Sequence, residues 1–509
     1  MAAPPVSPNT HMEEQEKTST SYGNIFKTTF LFGFVQVFNI IVKVGLNKVV
    51  AFLLGAEGMG IIGIYNSAVQ MIRTGAGLGV NQSAVRDISE ANAKGEKETF
   101  SRIISLTNKV ILFTSLLGIG VTIILSPFLS KWSFGDHSYT LAFIWLSLVV
   151  GLNIFTEGQL AILKGMRQLR ALAKASIWGS LAGLISAVPF YYMWGKGGII
   201  PSLIISALAA LFFSNLYVRR INYDRVSLSA KEILSGSKSM VKMGVALMLV
   251  GFLGAIFDMI VAAFISRQGS LADVGFYNAG ATIISGYFGI VITAMSTDYY
   301  PRISAVHNDN DKLKEEMNRQ SETGLIMIFP LVILFVFLSP FFINILYSSE
   351  FVLTNDYTDY AMIGTVIIVV SNCMGMILLA KQASNIFILS VLGQRIILIG
   401  IYLLGYTYFG LKGLGFAYIA TGVVHITFMT VILRHFYNIR LAGRVYKLLI
   451  LIIICTIATI YVRTIEIQTV KYTIGSIIFI LSCIYTLEYM KKKMSLNFLT
   501  AIKNRIRKK

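Results

Sequence analysis

Runs of about twenty apolar residues, separated by short polar or glycine-containing loops, repeat along almost the whole chain. They predict fourteen helical spans, at roughly 25–54, 58–84, 103–128, 138–163, 168–194, 197–218, 240–266, 272–298, 322–347, 358–382, 385–409, 412–437, 444–465 and 469–490. Each is long enough to cross a hydrocarbon core about 30 Å thick. The alternating apolar-out, polar-in pattern of a membrane barrel is absent. The expected class is an all-α integral membrane protein. No loop between spans is long enough for a separate domain. The longest are 219–239 and 299–321, and HNDNDKLKEEMNRQ within the second reads as a short charged helix.

The pattern also repeats on a larger scale. The stretch Leu46 to Ser89 recurs about two hundred residues later as Asp258 to Ser304. Gly63-Ile64-Tyr65-Asn66 aligns with Gly275-Phe276-Tyr277-Asn278, and each copy ends in an Arg-x-Ile-Ser-like turn. Internal repeats of this kind build many transporters from two similar halves. The expected organisation is a cytoplasmic N-terminus at 1–24, a six-helix lobe at 25–218, a linker at 219–239 and a second six-helix lobe at 240–437. Two further helices at 444–490 and a basic tail at 491–509 complete it. Met1 to His11 resembles a cloning remnant, with Met12 the expected native start.

Composition sharpens this reading. The 509 residues are 55% hydrophobic and 14% charged, with mean hydropathy +0.69; a soluble domain carries about 25% charged residues. The net charge of +19 would suggest nucleic acid in a soluble protein, but here it lies in loops and reads as topology, with no nucleic-acid partner. Loops after even-numbered spans, with the tail, hold 32 Lys and Arg; loops after odd-numbered spans hold 6. That bias places both termini in the cytoplasm and the basic tail against anionic headgroups. Cys373, Cys455 and Cys483 all lie in apolar runs and form no metal-binding spacing.

Ionisable residues at membrane depth are costly and are functional candidates. Asn66, Gln70 and Arg73 stand at i, i+4 and i+7 on one face of the second span. Their mates in the second copy, all 212 residues later, are Asn278, Thr282 and Ser285. One polar stripe therefore occurs twice, and only the first copy is charged. Such a stripe faces a cavity or a helix partner rather than lipid. Lys43 and Lys48 lie on the first span and Arg395 on the eleventh. The expected cavity residues are Lys43, Lys48, Asn66, Gln70, Arg73, Asn278 and Arg395. Asp258, with Arg395 or a lumen base as its partner, and Glu157 are the candidates for proton or cation coupling; a structural ion pair or plain helix packing is the alternative for each. His425 reads as a core histidine. No phosphate-loop motif and no H-E-x-x-H occurs, so no catalytic residue, cofactor or metal is expected. A basic polar cavity suits an anionic, phosphate-bearing amphiphile.

Phe52 to Asn66, Leu160 to Gly183, Ile345 to Asp356 and Leu378 to Gln394 resemble the Wzx-type polysaccharide flippases of the multidrug/oligosaccharidyl-lipid/polysaccharide exporter superfamily. With the repeat, the resemblance reaches to about residue 438. It implies two six-helix lobes around a central cavity and alternating access. It also implies export of an undecaprenyl-diphosphate-linked oligosaccharide across the bacterial inner membrane, with membrane lipids as the other partners. Wzx proteins often have twelve spans; the two more here are shared with the lipid II flippases of the superfamily. A lipid II flippase or a drug exporter is the alternative within it. A membrane-embedded polymerase or ligase is the alternative outside it, although such enzymes usually carry a long outward loop.

Overall fold

The computed structural model describes the backbone of residues 8–224 and 226–494, and the side chains of 35–224, 226–245 and 247–492. The start of the expected remnant and most of the basic tail lie outside the described residues. The described chain is α-helical and contains no strand. The elements are α1 (Pro8–Ala76), α2 (Val80–Lys94), α3 (Lys97–Phe134), α4 (Thr140–Gly165), α5 (Leu169–Trp194), α6 (Ile199–Val218), α7 (Ala230–Gln268), α8 (Leu271–Ala281), α9 (Gly289–Ala305), α10 (Asn310–Leu346), α11 (Asn355–Ala380), α12 (Ser384–Tyr437), α13 (Gly443–Arg463) and α14 (Gln468–Met494).

Eleven helical segments among the described residues are long and apolar enough to cross a membrane. Three of them are interrupted at a glycine with positive φ: α1 at Gly55, α12 at Gly410, and the α5–α6 segment at Gly195. Only glycine takes these angles without steric cost. Counted on each side of the interruptions, the eleven segments give the fourteen spans that the hydrophobic pattern predicts.

Three boundaries differ from expectation. The second span does not run to residue 84: it stops at Ala76, and α2 restarts at Val80. Leu78 and Gly79 between them are left-handed, with φ 49° and 61°. The helix α2 is amphipathic, burying Val80, Ala84, Ile88 and Ala91 at one-turn intervals and leaving Arg86, Glu90 and Lys94 outside. The eighth span comprises α8, a π-helical stretch at Thr282–Phe288, and α9. The charged HNDNDKLKEEMNRQ segment is no separate helix but the first turns of α10.

The chain forms two compact units. The first holds the residues up to Leu53 and Tyr65–Ala255. Within it α3 packs on α4 and α5 on α6, and α2 lies against α3 and α4. Ile88, Ile104, Ile111 and Ile162 are fully buried where α2, α3 and α4 meet. Glycine permits the tightest approach: a Cβ on Gly79 would lie 2.0 Å from the Gly244 carbonyl oxygen.

The second unit holds Leu54–Ile64 and everything from Ile256 onward. Its centre is α11, which packs on α10, α12 and α13 and is mostly buried. The segment 54–64 lies against α8, so close that a Cβ on Gly60 would meet the Leu271 carbonyl oxygen at 1.9 Å. The Ala56 amide at the start of this segment donates to Glu350 Oε2 (3.2 Å), which satisfies one of the free N–H groups after the break. Both α13 and α14 pack on α10. The last turn of α13 is fixed by Arg463, which is ion-paired with Asp359 of α11 and donates to Ser339 Oγ and the Val336 carbonyl of α10. Asp359 is 7% exposed; a carboxylate so buried requires a partner.

Candidate functional site

In the first unit a cavity of about 410 Å³ opens beside the charged end of α1. Its polar lining comes from α1 (Gln70, Arg73, Thr74), α2 (Asn81, Gln82), α3 (Thr114) and α4 (Glu157). The helical period puts Gln70 and Arg73 one turn apart, and the Arg73 guanidinium donates to Gln70 Oε1. Thr74 bonds back to the Gln70 carbonyl at 2.8 Å and accepts from Gln70 Nε2 at 3.3 Å. Arg73 Nη1 lies 2.5 Å from Glu157 Oε1. The other Glu157 oxygen accepts from Asn81 Nδ2 at 3.0 Å. Both carboxylate oxygens are thus engaged, one by a cation and one by an amide.

This pairing changes the electrostatic picture. Arg73 is not a free cation: its charge is balanced by Glu157, and no other ionisable side chain among the described residues lines the cavity. The two are only partly withdrawn from solvent, at 25% and 33% side-chain exposure. A guanidinium whose partner is a single carboxylate can exchange it for another planar anion, because the fork geometry that suits carboxylate also suits phosphate.

The second unit carries a different polar cluster, rich in aromatics. The Arg395 guanidinium stacks over Phe257 with Cζ 4.8 Å from the ring centroid, and Phe257 meets Tyr402 edge-on at 5.0 Å. Asp258 is the neighbour of Phe257 in the chain and is exposed. It sits within electrostatic reach of Arg395, but no ion pair joins them among the described residues. Tyr277 packs edge-on against Tyr357 (5.1 Å), and Tyr357 against Tyr418 (6.3 Å). His425 Nδ1 is 2.9 Å from Ser371 Oγ, the satisfied setting expected of a core histidine.

The structure brings Gln70, Arg73 and Glu157 of the first unit together. Lys43 and Asn66 are exposed, and neither lines this cavity. Lys48 is half-buried. In the second unit Asn278 packs on Gly63: a Cβ there would lie 1.5 Å from its Nδ2, which is buried without a hydrogen-bond partner. Sequence reasoning missed Asn81, because it lies beyond the helix break, outside the i, i+4, i+7 series. It also missed the four tyrosines.

Comparison with known proteins follows the same lines. A family model described as "Polysaccharide biosynthesis protein" matches residues 49–355. The "Lipid III flippase" of Escherichia coli (strain K12) is 22% identical over 398 residues, covering 76% of this chain and 93% of that protein. The fold is similar to that of the "Lipid II flippase MurJ, inward closed conformation", with a TM-score of 0.68 at 12% identity, covering 92% of this chain and 100% of that one. It is also similar to an inward-facing multidrug resistance MATE family transporter of the MOP superfamily, with a TM-score of 0.62 at 16% identity, covering 81% and 95%.

Proposed function

The chain belongs to the polysaccharide biosynthesis protein family, and from that premise we propose that it is a flippase for an undecaprenyl-diphosphate-linked oligosaccharide. It carries this lipid by alternating access from the cytoplasmic to the outer leaflet of the bacterial inner membrane. Both termini are cytoplasmic, as the distribution of Lys and Arg supports. The chain acts as a transporter and not as a catalyst. The observation that carries the reading is the Arg73–Glu157–Asn81 network in a cavity of a membrane-spanning unit.

The mechanism follows from competition for one guanidinium. With Glu157 ionised, Arg73 is paired. A diphosphate that displaces the carboxylate gains a charge-assisted, two-pronged contact, and such contacts contribute about 1.5–3 kcal/mol. Glu157, as the competing carboxylate, is the coupling candidate in the first half and Asp258 in the second. Gln70, Thr74 and Asn81 supply hydrogen bonds for sugar hydroxyls. Arg395, stacked on Phe257, supplies the cation of the second half. Lys43 and Lys48 lie along the first span as further cations for an anionic substrate, with Asn66 and Asn278 as polar neighbours.

A second reading, a lipid II or lipid III type substrate, is supported by the similarity to the lipid III flippase over 76% of this chain and by the fold likeness to the lipid II flippase over 92% of it. The deciding experiment is leaflet-specific. Cells lacking this protein should accumulate their lipid-linked glycan on the cytoplasmic leaflet, and restoring the gene should clear it. Accumulation of lipid II in place of the longer glycan carrier would select the second reading. No accumulation of either would sink both.

A further inference from the structure

A second cavity, of about 880 Å³, lies in the first unit between α3, α4, the end of α6 and the linker that follows it. It is a built site. Gln159, 3% exposed, donates through Nε2 to Asn108 Oδ1 at 3.0 Å. Asn108 Nδ2 donates to the Tyr223 hydroxyl at 3.3 Å. That hydroxyl keeps its own proton for another acceptor. The linker is pinned as one wall: the Asp224 amide donates to Ser101 Oγ and the Val226 amide to Ser105 Oγ, both at 3.2 Å.

The charges around it are not balanced. The acids of this region are already taken, Asp224 by Lys97 (3.1 Å) and Glu232 by Arg102 (3.2 Å). Lys109 and Arg219, which line the cavity and are exposed, pair with no acid among the described residues. Leu112, 45% exposed, and Phe155 give the same cavity an apolar side. A rule of positive loops explains which side of the membrane these cations occupy. It does not explain why they converge with a bonded amide chain on a linker held in place.

We propose that this cavity binds the phosphate ester of an anionic lipid headgroup. Lys109 and Arg219 hold the phosphate, Tyr223 donates to it or to a headgroup hydroxyl, and the chain runs along Leu112. The occupant ties the linker between the two halves to the end of α6. The inference does not depend on what the protein transports.

The test uses the full-length protein in detergent, with thermal unfolding followed as phosphatidylglycerol, phosphatidylcholine or inorganic phosphate is added. Phosphatidylglycerol should raise the midpoint more than phosphatidylcholine does. The double variant Lys109→Gln, Arg219→Gln should weaken that response about tenfold or more, the loss expected when charge-assisted contacts are removed. The same cations influence topology, so Asn108→Asp is the companion variant: it leaves them in place, puts a carboxylate in the cavity lining that repels a phosphate and takes the Tyr223 proton, and should weaken the response comparably. An equal shift with inorganic phosphate, competing with the lipid, would keep the phosphate site and assign it a soluble source. Equal shifts from the two lipids, or a wild-type response from either variant, would overturn the proposal.

Discussion

The two copies of the repeat meet the same requirement in different ways. In the first, the helix carrying Gln70 and Arg73 ends at Ala76, the backbone turns left-handed at Leu78 and Gly79, and α2 begins. In the second, the corresponding stretch widens into a π-helical turn at Thr282–Phe288 and runs on as α9. Gly77 and Gly289 are mates, 212 residues apart. Both devices interrupt the regular hydrogen-bond ladder at membrane depth, where free backbone groups are costly. The break lets α2 bring Asn81 to Glu157. The π turn begins at Thr282, so Asn278 and Thr282 keep their one-turn spacing while Ser285 is rotated off the stripe that a 3.6 period assigns it. The halves are similar in sequence and unlike in the chemistry they can perform.

The comparison breaks most visibly at the glycines. Gly79 combines φ 61° with a backbone oxygen 2.0 Å from any Cβ, so Gly79→Ala should destabilise by about 3 kcal/mol or more and leave little folded protein in detergent. Gly289 is helical, with nothing near its Cβ position; Gly289→Ala should be neutral or stabilise by about 0.5–1 kcal/mol. Thermal unfolding of the two variants side by side measures the contrast, and equal losses would mean the two breaks are equivalent.

Next comes the polar stripe. Arg73→Ala should cut transport about tenfold or more, with Arg73→Lys between it and wild type because the fork is lost. Ser285→Ala should be nearly silent. Complementation of a flippase-null strain at matched expression reads these out. Full complementation by Arg73→Ala, with failure of Ser285→Ala, would place the binding in the other half.

A smaller effect is expected at Asp258, which is near Arg395 without being paired to it. Asp258→Asn should lower transport less than Arg73→Ala does and flatten its pH dependence. Unchanged transport across pH would make Asp258 a bystander.

The smallest contrast lies in the loops that follow the copies. Asp309 caps α10 by accepting from the Asp311 and Lys312 amides, whereas Glu96 makes no such bond at the start of α3. The hydrogen bonds from the Lys312 amide and ammonium hold the Asp309 carboxyl below the usual carboxylate range. A depressed carboxyl stabilises the fold above its ordinary titration range, and that contribution is lost as pH falls through its folded value. Asp309→Ala should therefore lower the unfolding temperature at neutral pH and make no difference in strong acid. Glu96→Ala should be neutral at both.

Most of the fold was legible because membrane spans depend on composition over about twenty residues, and the glycines at 55, 195 and 410 fall where the apolar runs needed dividing. The end of the second span was not. Val80 and Ala84 are apolar and continue the pattern, and only backbone angles distinguish a membrane helix from the amphipathic α2. At the site, the i, i+4, i+7 spacing located Gln70 and Arg73, but nothing local in the chain ties Arg73 to Glu157, 84 residues away. Asn66 illustrates the converse: it shares the stripe, yet the cavity does not extend to it.

The bond between Arg463 and Asp359 bears on how the protein is made. Asp359 emerges from the ribosome 104 residues before the cation that neutralises it. Until α13 is inserted, α11 must therefore remain protonated, hydrated or loosely packed. Maturation of the second half cannot be completed one helix at a time in the order of synthesis. A chain stopped after α12 would retain an orphaned acid in its core and should be recognised by quality-control proteases. The last two helices, which look like an addition to a twelve-span plan, are in this respect the final step of assembly for the helices before them.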